Sequence, residues 1–203
     1  MIRFIEDAEQ RKKISREILE SLTEWFEVAE SREQYIEESA GQPFWVWVDG
    51  DINEGFLCLK ETGRETMELA VMGVRRECHR KGIGRRLFAA AKDYAAGKGY
   101  EFIQVKTVRS GVYEDYDITN EFYRSLGFRE LEVLPEYWDE ANPCQIYVMS
   151  LKSAINTIAT RHSYRGAFRQ ESVPEEDLMT IAKAGTKDIL RMKTGYVTGS
   201  PRS

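Results

Sequence analysis

The sequence predicts an α/β fold: a mixed, mostly antiparallel twisted sheet with flanking helices, followed by a helical C-terminal extension. Three observations carry that reading. Short apolar stretches bounded by turn residues fill the first half of the chain, and two later stretches recur at helical spacing up to glycine stops. The charge balance then changes sign near residue 151.

Met1–Ile5 opens as a short strand. From Asp7 the pattern turns helical, with Ile14, Ile18, Leu22 and Trp25/Phe26 recurring between charged residues, and a second helix spans Ser31–Ser39. Gly41-Gln42-Pro43 breaks the chain. Phe44–Val48 reads as a strand, Asp49-Gly50-Asp51 as a hairpin turn and Gly55–Lys60 as the next strand. Thr62-Gly63 then turns into Glu65–Val74, which completes an antiparallel meander. The period changes after the basic stretch Arg75–Lys81. Ile83, Leu87, Ala90/Ala91 and Tyr94 repeat at helical spacing until Gly97–Gly99. Phe102–Thr107 follows as a strand, so this strand–helix–strand unit predicts a parallel, right-handed crossover. Ile118–Leu126 fits a helix stopped by Gly127, and Phe128–Leu134 and Gln145–Leu151 read as closing strands.

The chain has 203 residues, 42% of them hydrophobic, enough for one domain with a buried core. Only 5 Pro and 15 Gly exclude a fibrous or disordered chain. No apolar run approaches the roughly 20 residues that cross a membrane, and Met1-Ile2-Arg3-Phe4 does not open a secretory signal. Cys58, Cys78 and Cys144 are odd in number and far apart, without metal-ligand spacing, which suits a reducing compartment and no metal. A soluble, cytoplasmic protein without a membrane partner is expected. Residues 152–203 carry nine Lys or Arg and five Asp or Glu, leaving residues 1–151 at a net charge of −9. That shift marks a boundary between an acidic domain, 1–151, and a basic extension, 152–203. With three aromatics and no dense basic cluster, the extension predicts no nucleic-acid partner.

The stretch from Val74 to Leu87 carries the most chemistry. Gly82 and Gly84 lie where a loop enters an amphipathic helix, and without Cβ atoms they let backbone N–H groups approach a ligand. A helix N-terminus offers unsatisfied donors and a partial positive charge, and Arg80, Lys81, Arg85 and Arg86 add full charges there. This is chemistry for an anion such as a pyrophosphate. It matches neither familiar nucleotide loop: the Lys-Ser/Thr of a Walker loop is absent, and Leu87 stands where a dinucleotide fingerprint needs Gly or Ala.

His79–Gly84 followed by Leu87 resembles the acetyl-CoA loop of the GNAT N-acetyltransferases, usually Gln/Arg-x-x-Gly-x-Gly/Ala. Thr119-Asn120-Glu121-Phe122-Tyr123-Arg124-Ser125-Leu126-Gly127-Phe128 resembles that family's second hallmark, a helix ending in Phe-Tyr-x-x-x-Gly-Phe. Trp138–Cys144 is similar to a tail seen in some bacterial members. The resemblance covers about residues 2–151, with His79 in the usual Gln/Arg place, where the backbone N–H is expected to matter most.

The resemblance implies that the strands Glu65–Val74 and Phe102–Thr107 splay apart around acetyl-CoA. Backbone at Met72, Gly73 and Val74 would pair with the pantetheine arm, and His79, Arg80, Lys81, Gly82, Ile83, Gly84 and Arg85 would hold the pyrophosphate. Thr119 and Phe122 of the second motif would border the cofactor. It also implies an enzyme in which a primary amine of a small molecule or peptide attacks the thioester directly, with Tyr123 as acid and Glu68 as base. Strand alternation expects Glu68 on the same face as Ala70, Met72 and Val74. A Cys78–His79 nucleophile lacks a third, orienting group. Trp25, Trp45, Trp47, Trp138, Tyr113, Tyr116 and Tyr137 either line an acceptor cleft or pack the core, and Glu114, Asp115 and Asp117 form an acidic loop that would attract a cationic amine. A sensor that binds CoA without turning it over would share the loop.

In the extension, Ala154–Thr160 and the stretch from Ser172 to Ala184 read as helices. Arg161-His162-Ser163-Tyr164-Arg165 resembles the beginning of the FMN-dependent nitroreductases, which implies flavin phosphate contacts at Arg161, Ser163 and Arg165. More than a hundred residues of that fold have no counterpart, so a truncated fusion is expected rather than a working FMN site. The two helices are expected to dock on the first domain or to join two copies as a homodimer.

Overall fold

A computed structural model describes residues 1–152; the expected helices of the extension, with Arg161, Ser163 and Arg165, lie outside the described residues. Seven strands form one sheet: β1 (Ile2–Phe4), β2 (Phe44–Asp49), β3 (Ile52–Gly63), β4 (Thr66–Val74), β5 (Phe102–Val108), β6 (Arg129–Asp139) and β7 (Asn142–Ser150), in the order β1-β2-β3-β4-β5-β7-β6. Helices α1 (Ala8–Leu19), α2 (Ala29–Ser39), α3 (Ile83–Gly97) and α4 (Glu114–Leu126) complete the described residues. The meander β2-β3-β4 is antiparallel as expected, and β4 and β5, joined through α3, are the parallel pair.

Each face of the sheet has its own core, because alternate residues of a strand point to opposite sides. Leu57, Leu59, Met67, Leu69, Ile103 and Val105 pack against Leu87, Ala91 and Ala95 of α3 and against Tyr123 of α4. Phe44, Val46, Phe56, Cys58 and Val71 pack against Ile14, Ile18 and Leu19 of α1 and Ile36 of α2. The helices show why they form where they do. Asp7 caps α1, accepting the Gln10 N–H at 2.7 Å. Two left-handed glycines mark one end of each motif helix: Gly82 (φ +79°) precedes the start of α3 and Gly127 (φ +100°) follows the end of α4.

Four boundaries differ from the sequence reading. Helix α1 ends at Leu19 instead of running to Phe26; the Ser21 N–H and hydroxyl both donate to the Ile18 carbonyl, at 3.0 and 2.7 Å, and close the helix. Helix α4 starts a turn early, so Glu114, Asp115 and Asp117 lie in its first turn rather than in a loop, where carboxylates offset the positive end of the dipole. The β3–β4 turn falls at Arg64–Glu65, after Thr62-Gly63. Strands β6 and β7 extend into a hairpin whose turn is fixed by the Asp139 carboxylate, which accepts the Ala141 and Asn142 N–H groups at 2.9 Å each. No described helix is long and apolar enough to cross a membrane.

One irregularity matters for the site. Cys58 pairs with Val71 and Leu59 with Leu69, so Ala70 of β4 is an extra residue with no partner on β3. Such a bulge shifts the alternation of every residue beyond it.

Candidate active site

Helix α3 opens on a loop with unusual backbone geometry. A short 3₁₀ turn, Arg76–Cys78, buries the Cys78 side chain and anchors the loop. Arg80 (φ +60°) and Gly82 (φ +79°) then both adopt the left-handed conformation on either side of Lys81. Left-handed residues set in a turn gather successive N–H groups into an anion-binding concavity. The first intrahelical bond of α3 runs from the Arg86 N–H to the Gly82 carbonyl, at 3.1 Å. The amides from Arg80 to Arg85 donate to no backbone carbonyl among the described residues. A Cβ placed on Gly82 would meet nothing within 4 Å, so the side-chain direction at this turn is open. The cradle fits a phosphate.

Side chains around it divide into two groups. Arg80 and Lys81 are exposed. Arg85 instead reaches α4, donating to the Ser125 carbonyl and hydroxyl at 3.2 and 3.1 Å, and Arg86 stacks over Trp47 at 5.1 Å. His79 departs from expectation: its backbone N–H donates to the Arg76 carbonyl at 3.1 Å to close the 3₁₀ turn, so that group is already engaged. The ring Nε2–H donates to the Val74 carbonyl at 2.7 Å and the ring edge packs on Trp25.

Opposite this loop, the sheet opens. β4 and β5 pair from Thr66↔Phe102 to Leu69↔Val105 and no further. Beyond that rung β4 stays with β3 as far as Val74, and β5 stays with β7 as far as Val108. The separation starts at the bulged Ala70. Met72, Val74 and Phe122 border the gap from the α3 side, packed on the same core. A Cβ on Gly84 would lie 3.1 Å from Phe122 Cζ and 3.8 Å from Met72 Cε, so Gly84 is the point where α3, α4 and β4 converge. Thr119 spends its hydroxyl on its own helix, donating to the Asp115 carbonyl at 3.1 Å.

Tyr123 is buried, its ring 5.7, 5.9 and 6.2 Å from those of Phe122, Phe128 and Tyr147. Burial pushes its phenol well above the ordinary value, so it keeps its proton at any physiological pH. Cys78 also stays protonated: burial and the Glu54 carboxylate, to which its thiol donates at 3.2 Å, push it up. With His79 turned to Val74, no Cys–His pair forms.

The face of Glu68 is a correction. Met67 and Leu69 belong to the α3-side core, and so do Met72 and Val74, because Ala70 resets the alternation between them. Glu68 therefore shares the α1–α2 side with Ala70, as expected, and with Val71, but not with Met72 and Val74. Its Oε2 accepts from Gln104 Nε2 at 2.9 Å and from Lys106 Nζ. Both partners come from β5, and Gln104 stands directly across from Glu68 in the parallel register.

A family model described as the acetyltransferase (GNAT) family matches residues 8–128. The chain belongs to the GNAT acetyltransferase family. Solved structures agree on the fold. A GNAT-family structure from Desulfovibrio desulfuricans is 21% identical at TM-score 0.64, the match covering 75% of this chain and 99% of that one. An aminoglycoside 6'-N-acetyltransferase complexed with coenzyme A is 21% identical at TM-score 0.59, covering 75% and 98%. An IAA acetyltransferase from Bacillus cereus is 22% identical at TM-score 0.57, covering 74% and 98%. No curated protein matches the chain in sequence.

In this GNAT chain the α1–α2 face of the gap holds groups that sequence reasoning missed. Gln104 and Lys106 carry a weak signal, two polar residues alternating with buried Ile103 and Val105. Tyr35 carries none; burial raises its phenol, and the nearby charges of Glu68 and Glu38 add to that. Asn120, fully buried, donates to the carbonyls of Val108 at 2.9 Å and Tyr116 at 2.6 Å and accepts from the Tyr147 hydroxyl at 2.7 Å, tying α4 to β5 and β7. The Tyr116 hydroxyl donates to the Trp25 carbonyl at 3.1 Å, which joins α4 to the α1–α2 segment. Of the remaining aromatics, Trp45 is core, whereas Tyr113, Tyr137 and Trp138 are exposed. Asp117 does not face an open loop: it accepts the Gly111 N–H at 2.6 Å and the Ser110 hydroxyl at 2.7 Å, which hold its carboxyl below the usual range. Among the described residues no cluster of His, Cys, Asp and Glu could hold a metal ion.

Proposed function

We propose that the chain moves an acetyl group from acetyl-CoA to a primary amine of a small molecule or peptide, by direct attack within a ternary complex. The observation that carries this reading is the parting of β4 and β5 beyond Leu69↔Val105, in a sheet whose next element after β4 opens on a cradle of unengaged amides. Amides 80–85, with Arg80 and Lys81, would hold the pyrophosphate. Free strand edges at Met72, Gly73 and Val74 would take the pantetheine arm and polarise the thioester carbonyl, worth a few kcal/mol in the transition state.

An acceptor then has one side left to approach from. The cofactor loop and its helix lie on the α3 side, so the amine would come from the α1–α2 side, where Glu68 sits. Glu68 would take the ammonium proton. Tyr123, protonated throughout, would donate to a leaving thiolate of ordinary pKa about 8.5. The neighbours named for aminoglycosides and IAA do not extend their acceptors to this chain.

Coenzyme A binding by calorimetry and an amine panel followed by free-thiol release test the reading. In Tyr123→Phe, turnover should fall about 100-fold while CoA affinity is unchanged, the range for loss of a general acid. Retained affinity with no wild-type turnover on any amine would instead make the chain a CoA-binding sensor.

A further inference from the structure

The α1–α2 side of the gap already contains a primary amine. Lys106 Nζ donates to Glu68 Oε2 and stands 5.6 Å from the centroid of the Tyr137 ring. A carboxylate beside an aromatic face is how proteins recognise an alkylammonium. The side chains of Lys106 and Glu68 are only 18% and 14% exposed, so the pair is largely withdrawn from water. Lys106 is also the first residue of β5 past the last β4–β5 rung, at the apex of the gap, level with the bulged Ala70. The chain's own amine thus occupies the place that the proposed mechanism requires of an acceptor amine: on the base, at the apex of the separated strands. Gln104 steadies the same carboxylate oxygen from the neighbouring position on β5.

We propose that Lys106 is a self-acetylation site of this protein, an inference that rests on the acyl-transfer reading above. Glu68 takes a proton from the Nζ ammonium. The freed lone pair forms a bond to the acetyl carbonyl carbon, the nitrogen gives its second proton to solvent and Glu68 returns the first there, the carbon–sulfur bond breaks, and the coenzyme A thiolate leaves and takes a proton from Tyr123, which is replaced from solvent. The products are an Nζ-acetyl amide and free coenzyme A thiol, with one proton released. Because the amide is uncharged, the ion pair with Glu68 ends, and the carboxylate keeps Gln104 alone while its second position is freed for an incoming ammonium.

Peptide mapping by mass spectrometry tests this directly on the full chain, as purified and after incubation with acetyl-CoA and no added amine. One acetyl group per chain, carried by the peptide containing Lys106 and accompanied by one equivalent of thiol, is expected. Lys106→Arg should lose both signals, and Glu68→Gln should slow them; if either variant fails to fold, mapping of the wild-type chain decides alone. An unmodified Lys106 in protein that binds coenzyme A by calorimetry overturns the inference and leaves the acyl-transfer reading intact. Equal acetylation of Lys106 and the exposed Lys13, Lys92 and Lys98 also overturns it, since that is unguided chemistry. Absence of any coenzyme A affinity sinks both.

Discussion

The two faces of the sheet meet the same gap and are built by different means. On the α3 face the anion cradle comes from consecutive residues, Arg80 to Arg85, whose backbone conformation is set locally by Gly82 and a left-handed Arg80. On the α1–α2 face, Tyr35, Glu68, Lys106 and Tyr137 arrive from α2, β4, β5 and β6. Their meeting depends on strand register and on one extra residue at position 70. A local backbone device tolerates change around it; a convergence of distant side chains does not. The two faces should therefore fail differently when perturbed.

The largest effect is expected at Gly84, where the faces of α3 and α4 touch. A valine there would drive its Cβ and methyl groups into Phe122, whose Cζ is 3.1 Å from the Cβ position. Overpacking of this kind costs about 1–3 kcal/mol. Spent on moving α3 and α4 apart, that corresponds to a fall in CoA affinity of about tenfold or more, measured by calorimetry. Unchanged affinity in Gly84→Val would mean that the cradle works without the α3–α4 contact, and the comparison would lose its first half.

Gly73 makes the matching test on the other face. Its Cβ would come within 2.9 Å of Ile18 Cγ2, 3.1 Å of Leu22 Cδ1 and 3.3 Å of Phe56 Cε1, all buried side chains of the α1–α2 core. Gly73→Ala should cost about 1–2 kcal/mol and lower Tm by roughly 2–8 °C. CoA affinity should move less than in Gly84→Val, since the cradle is untouched. A variant that loses affinity but keeps its Tm would reverse the assignment of roles to the two glycines.

This division also accounts for what the sequence could tell. Gly-x-Gly before an apolar helix and Phe-Tyr-x-x-x-Gly-Phe at the end of another are contiguous, so strand, helix and turn order followed, and so did the parallel pairing through α3. Glu68 was visible as a residue but not its side of the sheet, because alternation assumes an unbroken ladder and Ala70 breaks it. The partnership of Glu68 with Lys106 spans 38 residues and depends on the parallel register, which no local pattern encodes. His79 looked like a donor to the cofactor because its place in the motif is a donor place. Its N–H is instead taken by the 3₁₀ turn that Arg76–Cys78 forms ahead of it.

The smallest effect expected lies within the local device itself. Arg80 holds φ +60°, a conformation that costs a residue with a Cβ about 1–2 kcal/mol. Glycine removes that cost but restores about 0.4–1 kcal/mol of unfolded-state freedom. Arg80→Gly should therefore stabilise the chain by about 0.5 kcal/mol, a rise in Tm of roughly 1–2 °C. The same change removes one of the exposed cations beside the amides, so CoA affinity should drop at low salt and approach the wild-type value as salt screens the charge. Stability and affinity would then move in opposite directions from one substitution. If Tm falls instead, the Arg80 side chain makes a contribution that outweighs its backbone cost, and the loop would owe its shape to more than its own dihedral angles.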